Sequence, residues 1–325
     1  MNFFTNASVK NISIGTNVSY KNNNMRYTFV NCYNFNSPIH IPHGITDIHG
    51  IFLNCYNFNQ SIGIPNTVVS MAYMCSGCRN FNQPVAINVD TKAANFIYTF
   101  ENCQRFNQPI TIPSTVSSMT HAFANCYVFN QPVNIPDAVT NLYYSFYNCQ
   151  RFNQPLTIPN SVTSTYAAFR NCRQLNQSVT IKSSVLNASQ LFKDCISLNQ
   201  PIVFDLDVCQ LNNVTQMFEN CQVFNQPITL SGNFNSLYYT FNNCKNMAQN
   251  ITILSTNVSN VKGMLMNKNN SIRVNIIVPA GSTTNSQMGN TSSTSSVVNK
   301  TISWYTNSTG KYRYNTVYNI YVYWV

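Results

Sequence analysis

Phe100-Glu101-Asn102-Cys103-Gln104-Arg105-Phe106-Asn107-Gln108-Pro109-Ile110-Thr111-Ile112-Pro113, followed by Val116, Met119 and Phe123, is one unit of a motif written along most of the chain. The next unit repeats it with Phe123, Asn125, Cys126, Phe129, Asn130, Gln131, Pro132, Val133, Ile135, Pro136, Val139 and Leu142. Cys32, Cys55, Cys78, Cys103, Cys126, Cys149, Cys172, Cys195, Cys221 and Cys244 are separated by 23, 23, 25, 23, 23, 23, 23, 26 and 23 residues. A fixed period in the range of about 20 to 50 residues marks a solenoid, in which each coil buries its apolar ring only against its neighbours.

Within a unit, Ile110-Thr111-Ile112 alternates as a strand does, and the flanking prolines hold it to about three residues. Its equivalents begin at Ile39, Ile62, Val85, Val133, Leu156, Val179, Ile202, Ile228 and Ile251. The expected fold is therefore a β-rich, leucine-rich-repeat-like solenoid of about eleven to twelve coils with one parallel sheet. A right hand follows from the usual rule for parallel crossovers. Residues 1–28 read as an N-terminal cap or degenerate coil with Ile12 and Ile14 as its strand, and 29–279 as the solenoid. At the far end Asn267 stands where Cys is expected. Residues 280–300, rich in Ser, Thr and Asn, read as a linker. Residues 301–325 read as a β-hairpin turning at Asn307-Ser308-Thr309-Gly310, a module that caps the sheet edge and attaches the chain to a larger assembly.

The units resemble BspA-like, Treponema-type leucine-rich repeats of bacterial surface proteins. The resemblance rests on Phe106-Asn107-Gln108-Pro109-Ile110 and on Ile158-Pro159, Val162, Ala168-Phe169 and Cys172, and it extends over residues 25–279. The same Phe-Asn-Gln-Pro and Ile-Pro pieces are similar to the F-N-I-P repeats of amoebae and giant viruses. What the resemblance implies is a leucine-rich-repeat fold used as a binding or display scaffold.

Ten cysteines at one coil position form an interior ladder, where a free thiol packs as a small hydrophobe. With only four histidines, His40, His43, His49 and His121, no metal site or cofactor is expected. Cys75, in the place of a Phe, and Cys209, in the 26-residue unit, are the exceptions to watch. A second ladder, Asn36, Asn59, Asn82, Asn107, Asn130, Asn153, Asn176, Asn199 and Asn225, is expected to hydrogen-bond backbone at a bend. The adjoining glutamines, Gln60 to Gln226, are left open between structure and exposure.

Two stripes are candidates for binding. Five residues before the cysteines lie Tyr27, Tyr73, Tyr98, Tyr144 and Tyr239, with His121 in register. One or two residues after them lie Tyr33, Tyr56, Tyr127, Arg79, Arg105, Arg151, Arg173 and Lys245. Equal phase aligns each set, and exposed Tyr and Arg anchor interfaces or stack on sugars. The alternative is that they merely cover the coil edge.

Composition limits function further. The chain of 325 residues is 44% hydrophobic but only 8% charged, with 18 Lys+Arg against 8 Asp+Glu and a net charge of +10. The cations are spread thinly, with no run that would serve as a nucleic-acid arm. Asp205 and Asp207 are a weak acidic pair, and no triad, phosphate loop, dinucleotide fingerprint or zinc motif is present. A non-enzymatic protein follows. No 18-residue apolar stretch would insert in a membrane, and the first residues lack the pattern of a secretory leader. The reading is a virion protein of a phage or other virus, on its surface, tail fibre or tail tip. It would bind a host-surface glycan or protein and contact other virion proteins through the C-terminal module. A homo-oligomer is compatible with this. The alternatives are a secreted cell-surface adhesin and, behind it, a polysaccharide-acting enzyme.

Overall fold

A computed structural model describes residues 23–88, 90–181, 184–205, 210–271, 273–279, 305–306, 312–315 and 320–324. They fall into two compact units that divide after Ser161. Both are β-solenoids, and no α-helix occurs among the described residues. The expected opening strand at Ile12 and Ile14, the linker and Cys209 lie outside the described residues.

Each coil has two parts. The first is the I-x-I segment, buried-exposed-buried in β1 (Ile62–Ile64) and β3 (Leu156–Ile158). The second is an arc around the cysteine, made of tight turns. Cys126 N donates to Phe123 O at 3.0 Å, and Phe129 N to Cys126 O at 3.1 Å. Between these turns the backbone bonds to the next coil: Tyr27 N to His49 O, Phe29 N to Ile51 O and Asn31 N to Leu53 O, at 2.9, 2.9 and 2.8 Å. The arc so satisfies its polar groups without a helix, as a buried backbone must.

The sheet departs from the expected single ribbon. In the first unit β1 pairs in parallel with β2 (Val85–Ile87). The segments at Ile39–Ile41, Ile110–Ile112 and Val133–Ile135 keep their inward side chains but are not strands. All three carry proline on both sides, but so does β3, a strand between Pro155 and Pro159, so flanking proline alone does not decide which segments pair. In the second unit β4 (Val179–Ile181) pairs with β5 (Ile202–Phe204), and β6 (Ile228–Leu230) with β7 (Ile251–Ile253). Strand β8 (Val274–Val278) continues from β7.

The C-terminal segment is more than a hairpin. Strands β9 (Tyr305–Thr306), β10 (Tyr312–Asn315) and β11 (Ile320–Trp324) form an antiparallel meander whose last strand lies parallel against β8. The order β6-β7-β8-β11-β10-β9 leaves a two-residue strand at the edge. A short edge gives little template for another chain, and Ile320 and Val322 bury themselves as a further rung of the core.

The core is two columns flanking the cysteines. Phe stands three residues before all but Cys78, where Cys75 takes its place, and three residues after, replaced by Leu175, Leu198 and Met247 in the second unit. Phe100 stacks on Phe106 at 4.5 Å and Phe123 on Phe129 at 4.7 Å, while Phe106 and Phe129 stack from coil to coil at 5.8 Å. Such contacts contribute about 0.5–1.5 kcal/mol each beyond burial. The cysteine line between them is fully buried. Eight thiols bond a carbonyl of the preceding coil, as where Cys55 Sγ donates to Phe29 O at 2.9 Å, Cys126 Sγ to Phe100 O at 3.0 Å and Cys244 Sγ to Phe218 O at 3.0 Å. That carbonyl already accepts a turn N–H, so the thiol fills its second lone pair.

Candidate functional site

Every arc is launched by a polar side chain eight residues before the cysteine. Asn24 Oδ1 accepts Arg26 N at 2.7 Å, Asp47 Oδ1 accepts His49 N at 2.9 Å and Asn141 Oδ1 accepts Tyr143 N at 2.8 Å. These Asx turns start the bend. The sequence carries their signal as Asn, Asp or Ser at that phase in unit after unit. Two residues per arc then adopt left-handed φ, one five before the cysteine and one directly before it. Tyr27, Tyr73, Tyr98, His121, Tyr144 and Tyr239 have φ between 53° and 56°. Asn31, Asn54, Asn102, Asn125, Asn148, Asn171, Asn220 and Asn243 have φ between 59° and 62°. Glycine stands in for the tyrosine at Gly50 and Gly263 and for the asparagine at Gly77, as this conformation favours.

In the first unit the preceding edge is an aromatic ladder. Tyr73 stacks on Tyr98 at 4.6 Å and Tyr98 on His121 at 4.5 Å, and His121 tilts against Tyr144 at 5.0 Å. The Tyr27 ring leans over Gly50, where a Cβ would approach it to 2.7 Å, and Tyr27 Oη shares a 2.8 Å hydrogen bond with His49 Nε2. These side chains are half-buried rather than exposed, because each ring lies across its neighbour. Glu101 sits beside them, 3.4 Å from His121 Nδ1 and accepting from Ser76 Oγ at 3.3 Å. Burial, with the Glu101 charge next, pushes the Tyr73 phenol above its ordinary value. Burial lowers His49, with Arg26 adding to it.

In the second unit the positions five before the cysteines are Ala167, Gln190, Gln216 and Tyr239, and charged side chains lie beside the glutamines. Arg170 donates to Gln190 Oε1 at 2.7 Å and lies 3.6 Å from Asp194, and Lys193 pairs with Glu219 at 2.7 Å. Tyr239 is half-buried, 4.3 Å from Tyr238, with its ring over Gly263.

The following edge is more open. In the first unit Tyr33 stacks on Tyr56 at 4.7 Å and the Arg79 guanidinium covers the Tyr56 ring at 4.2 Å. Tyr33, Arg79, Arg105 and Arg151 are exposed, and Tyr56 and Tyr127 half-buried. In the second unit Arg173 is exposed with its Nε on Asn171 Oδ1 at 2.9 Å, and Lys245 is exposed. Because Tyr56 has a neighbour on each face, it presents an edge and a hydroxyl to solvent, not a platform for a sugar ring.

Two amide ladders were partly legible. Asn59 N donates to Asn36 Oδ1 at 2.8 Å and Asn130 N to Asn107 Oδ1 at 2.8 Å, the backbone role expected of that line. The glutamines join it, with Gln131 Nε2 on Asn107 O at 3.1 Å. The ladder directly before the cysteines escaped the sequence reading, although Asn recurs there: Asn125 Nδ2 reaches Asn102 Oδ1 and Asn148 Nδ2 reaches Asn125 Oδ1, both at 2.9 Å. On the outer sheet face His40 and His43 flank an open cleft of about 460 Å³ floored by Gly63 and Ala86. No group of three or more His, Cys, Asp or Glu suited to a metal occurs among the described residues.

The sequence matches the family described as "Mycoplasma protein of unknown function, DUF285" over residues 23–135, 100–182, 140–254 and 182–277. No curated protein matches it. Among solved structures it is similar to a leucine-rich repeat protein from Bacteroides ovatus, with 16% identity and a TM-score of 0.43. That similarity covers 71% of this chain and 57% of the other, so the match spans less than two thirds of that protein's length.

Proposed function

This chain belongs to the family of Mycoplasma proteins of unknown function, DUF285, and from that premise we propose that it is a non-enzymatic scaffold whose coil edges bind a partner. One observation carries the reading: the coil repeats outward side chains at constant phase over a core filled by its own phenylalanines and thiols. Repetition of that kind makes an extended recognition surface rather than a reaction centre. The carboxylates support this. Asp47, Asp194 and Glu219 each face a cation, Glu101 lies 3.4 Å from the His121 ring, and Asp205 is exposed in a loop. Asp207, its partner in the enzyme alternative, lies outside the described residues.

The finer proposal is display on a virion, binding a host-surface glycan or protein, with no role for nucleic acid or for insertion in a membrane. Its support is the thiol ladder. Eight of the cysteines spend their S–H on a backbone carbonyl of the preceding coil, so folding needs reduced thiols, as in a cytosol where virions assemble. Other virion proteins would meet the C-terminal meander.

Mass spectrometry of purified virions and of cell-envelope fractions tests the location, and binding of the labelled chain to intact host cells tests the scaffold. Recovery in virions together with saturable cell binding is the expected result. Recovery only in the envelope, from a longer cleaved precursor, would overturn the virion placement in favour of an adhesin.

A further inference from the structure

In residues 23–161 the six positions after each cysteine contain three cations, Arg79, Arg105 and Arg151, and no carboxylate. All three are exposed, and none has an ion-pair partner among the described residues. The acids of this unit lie elsewhere in the coil. Asp47 is held by Arg26 at 3.3 Å and Glu101 by His121 at 3.4 Å, both on the preceding edge, and Asp90 and Asp137 belong to the loops after the I-x-I segments. The following edge therefore keeps its positive charge while most of the unit's surface is neutral amide and hydroxyl.

A row of hydrogen-bonding amides two residues after the cysteines leads up to Arg79, and Arg105 and Arg151 take the same phase in later coils. Asn57 Nδ2 donates to Asn34 Oδ1 at 3.2 Å and Asn80 Nδ2 to Asn57 Oδ1 at 3.0 Å. Arg79 is already ordered on the Tyr56 ring, so less side-chain entropy is lost when it meets an anion. Arg105 and Arg151 share one phase two coils apart, a spacing of about 10 Å from the strand-to-strand distance.

We propose that this edge binds a linear acidic polysaccharide, with Arg79, Arg105 and Arg151 contacting its anionic groups and the amide row its hydroxyls. The proposal rests on the scaffold reading above and names its ligand class. Sparse cations among amides suit a chain that alternates charged groups with hydroxyls. A single-stranded nucleic acid would need a denser cationic groove and free ring faces for its bases, and Tyr56 has both faces covered.

The test measures binding of the full chain to polygalacturonate, heparin, neutral dextran and a single-stranded oligonucleotide, at about 50 mM and about 200 mM salt. The expected result is binding to the two acidic polysaccharides that weakens with salt, and none to dextran. Arg105→Gln/Arg151→Gln should lower the affinity about fivefold, as two exposed ion pairs imply. The charge-matched variant Lys92→Gln/Lys262→Gln, at exposed positions off this edge, should change it less than about twofold. Equal losses in the two variants, or tighter binding of the oligonucleotide, would overturn the proposal. Host-cell binding that survives Arg105→Gln/Arg151→Gln unchanged would sink it and leave the scaffold reading standing. Absence of binding to both polysaccharides and cells would remove both.

Discussion

Asparagine recurs directly before the cysteine because that residue must be left-handed and because its amide has work to do there. Asn125, at φ 61°, donates to Asn102 and accepts from Asn148, so it holds both neighbouring coils. Left-handed backbone costs a β-branched residue about 2 kcal/mol, and each lost amide bond adds about 1. Asn125→Val, which loses both amide bonds, should therefore lower stability by about 4 kcal/mol. Asn125→Gly, which loses both amide bonds but suits the backbone, should cost about 2 kcal/mol. Urea unfolding midpoints decide this. Equal costs for Val and Gly would mean that the backbone at Asn125 is not the constraint. The tyrosines five residues before the cysteine share this conformation, which explains why glycine replaces one at Gly50 and again at Gly263. Read from sequence, that Tyr-to-Gly exchange was the available sign that the position belongs to the bend as much as to a binding stripe.

A coil is an arc plus a three-residue strand, and its stability comes from stacking on the next coil. Phe106 touches both columns, stacking on Phe100 at 4.5 Å and on Phe81 and Phe129 at 5.6 and 5.8 Å. Phe106→Ala should cost about 4 kcal/mol, the upper range for a core aromatic. The terminal coil is built less well. Its Cys position is taken by Lys268 and not, as the spacing suggested, by Asn267, which at φ 62° is the left-handed residue directly before it. Lys268 is buried with its Nζ on Asn269 O at 3.0 Å. Burial lowers its pKa to about 8. The folded chain thus gives up this proton at lower pH than the unfolded chain does. The resulting penalty is full below about pH 8 and disappears as pH rises towards about 10.5. Lys268→Met should raise stability by about 1 kcal/mol at pH 7, a figure already reduced for the water the ammonium still reaches. Thermal melts at about pH 7 and about pH 8.5, below the range in which the thiols ionise, check it, since the gain should begin to shrink at the higher pH.

Summed over the molecule, the thiols outweigh that lysine. Burial, the largest cause in each case, pushes Cys55, Cys75, Cys103, Cys126, Cys149, Cys195, Cys221 and Cys244 above the ordinary thiol value. A raised folded pKa means that the native state keeps protons which the unfolded chain loses above about pH 8.5. Their stabilisation is therefore complete below that pH and falls above it, by about 1.4 kcal/mol per pH unit for each thiol. Eight such groups remove the stability of an ordinary domain within about one to two pH units. The chain should unfold cooperatively between about pH 9 and pH 11. Circular dichroism and a thiol-reactive dye, followed together, should report one transition. Native signal persisting beyond that range, or thiols reacting while the fold is intact, would contradict the buried ladder.

The period, the packed cysteine line, the phenylalanine columns and the backbone role of Asn36 to Asn225 were legible in the sequence by itself. Each rests on local chemistry repeated at constant phase, and repetition turns a local preference into a stacked architecture. Tertiary structure alone decided which surfaces the stripes leave open. Tyr73, Tyr98 and His121 are half-buried because each ring lies on the next. Tyr56 is sandwiched between Tyr33 and Arg79. Spacing places such rings on one line but says nothing of their tilt, and the tilt determines whether a face or an edge meets the solvent. The same holds for the sheet. Three proline-flanked segments keep their burial without being strands, while β3, between Pro155 and Pro159, is one. Side-chain alternation follows from the segment's own period, whereas pairing depends on how the neighbouring coil meets it.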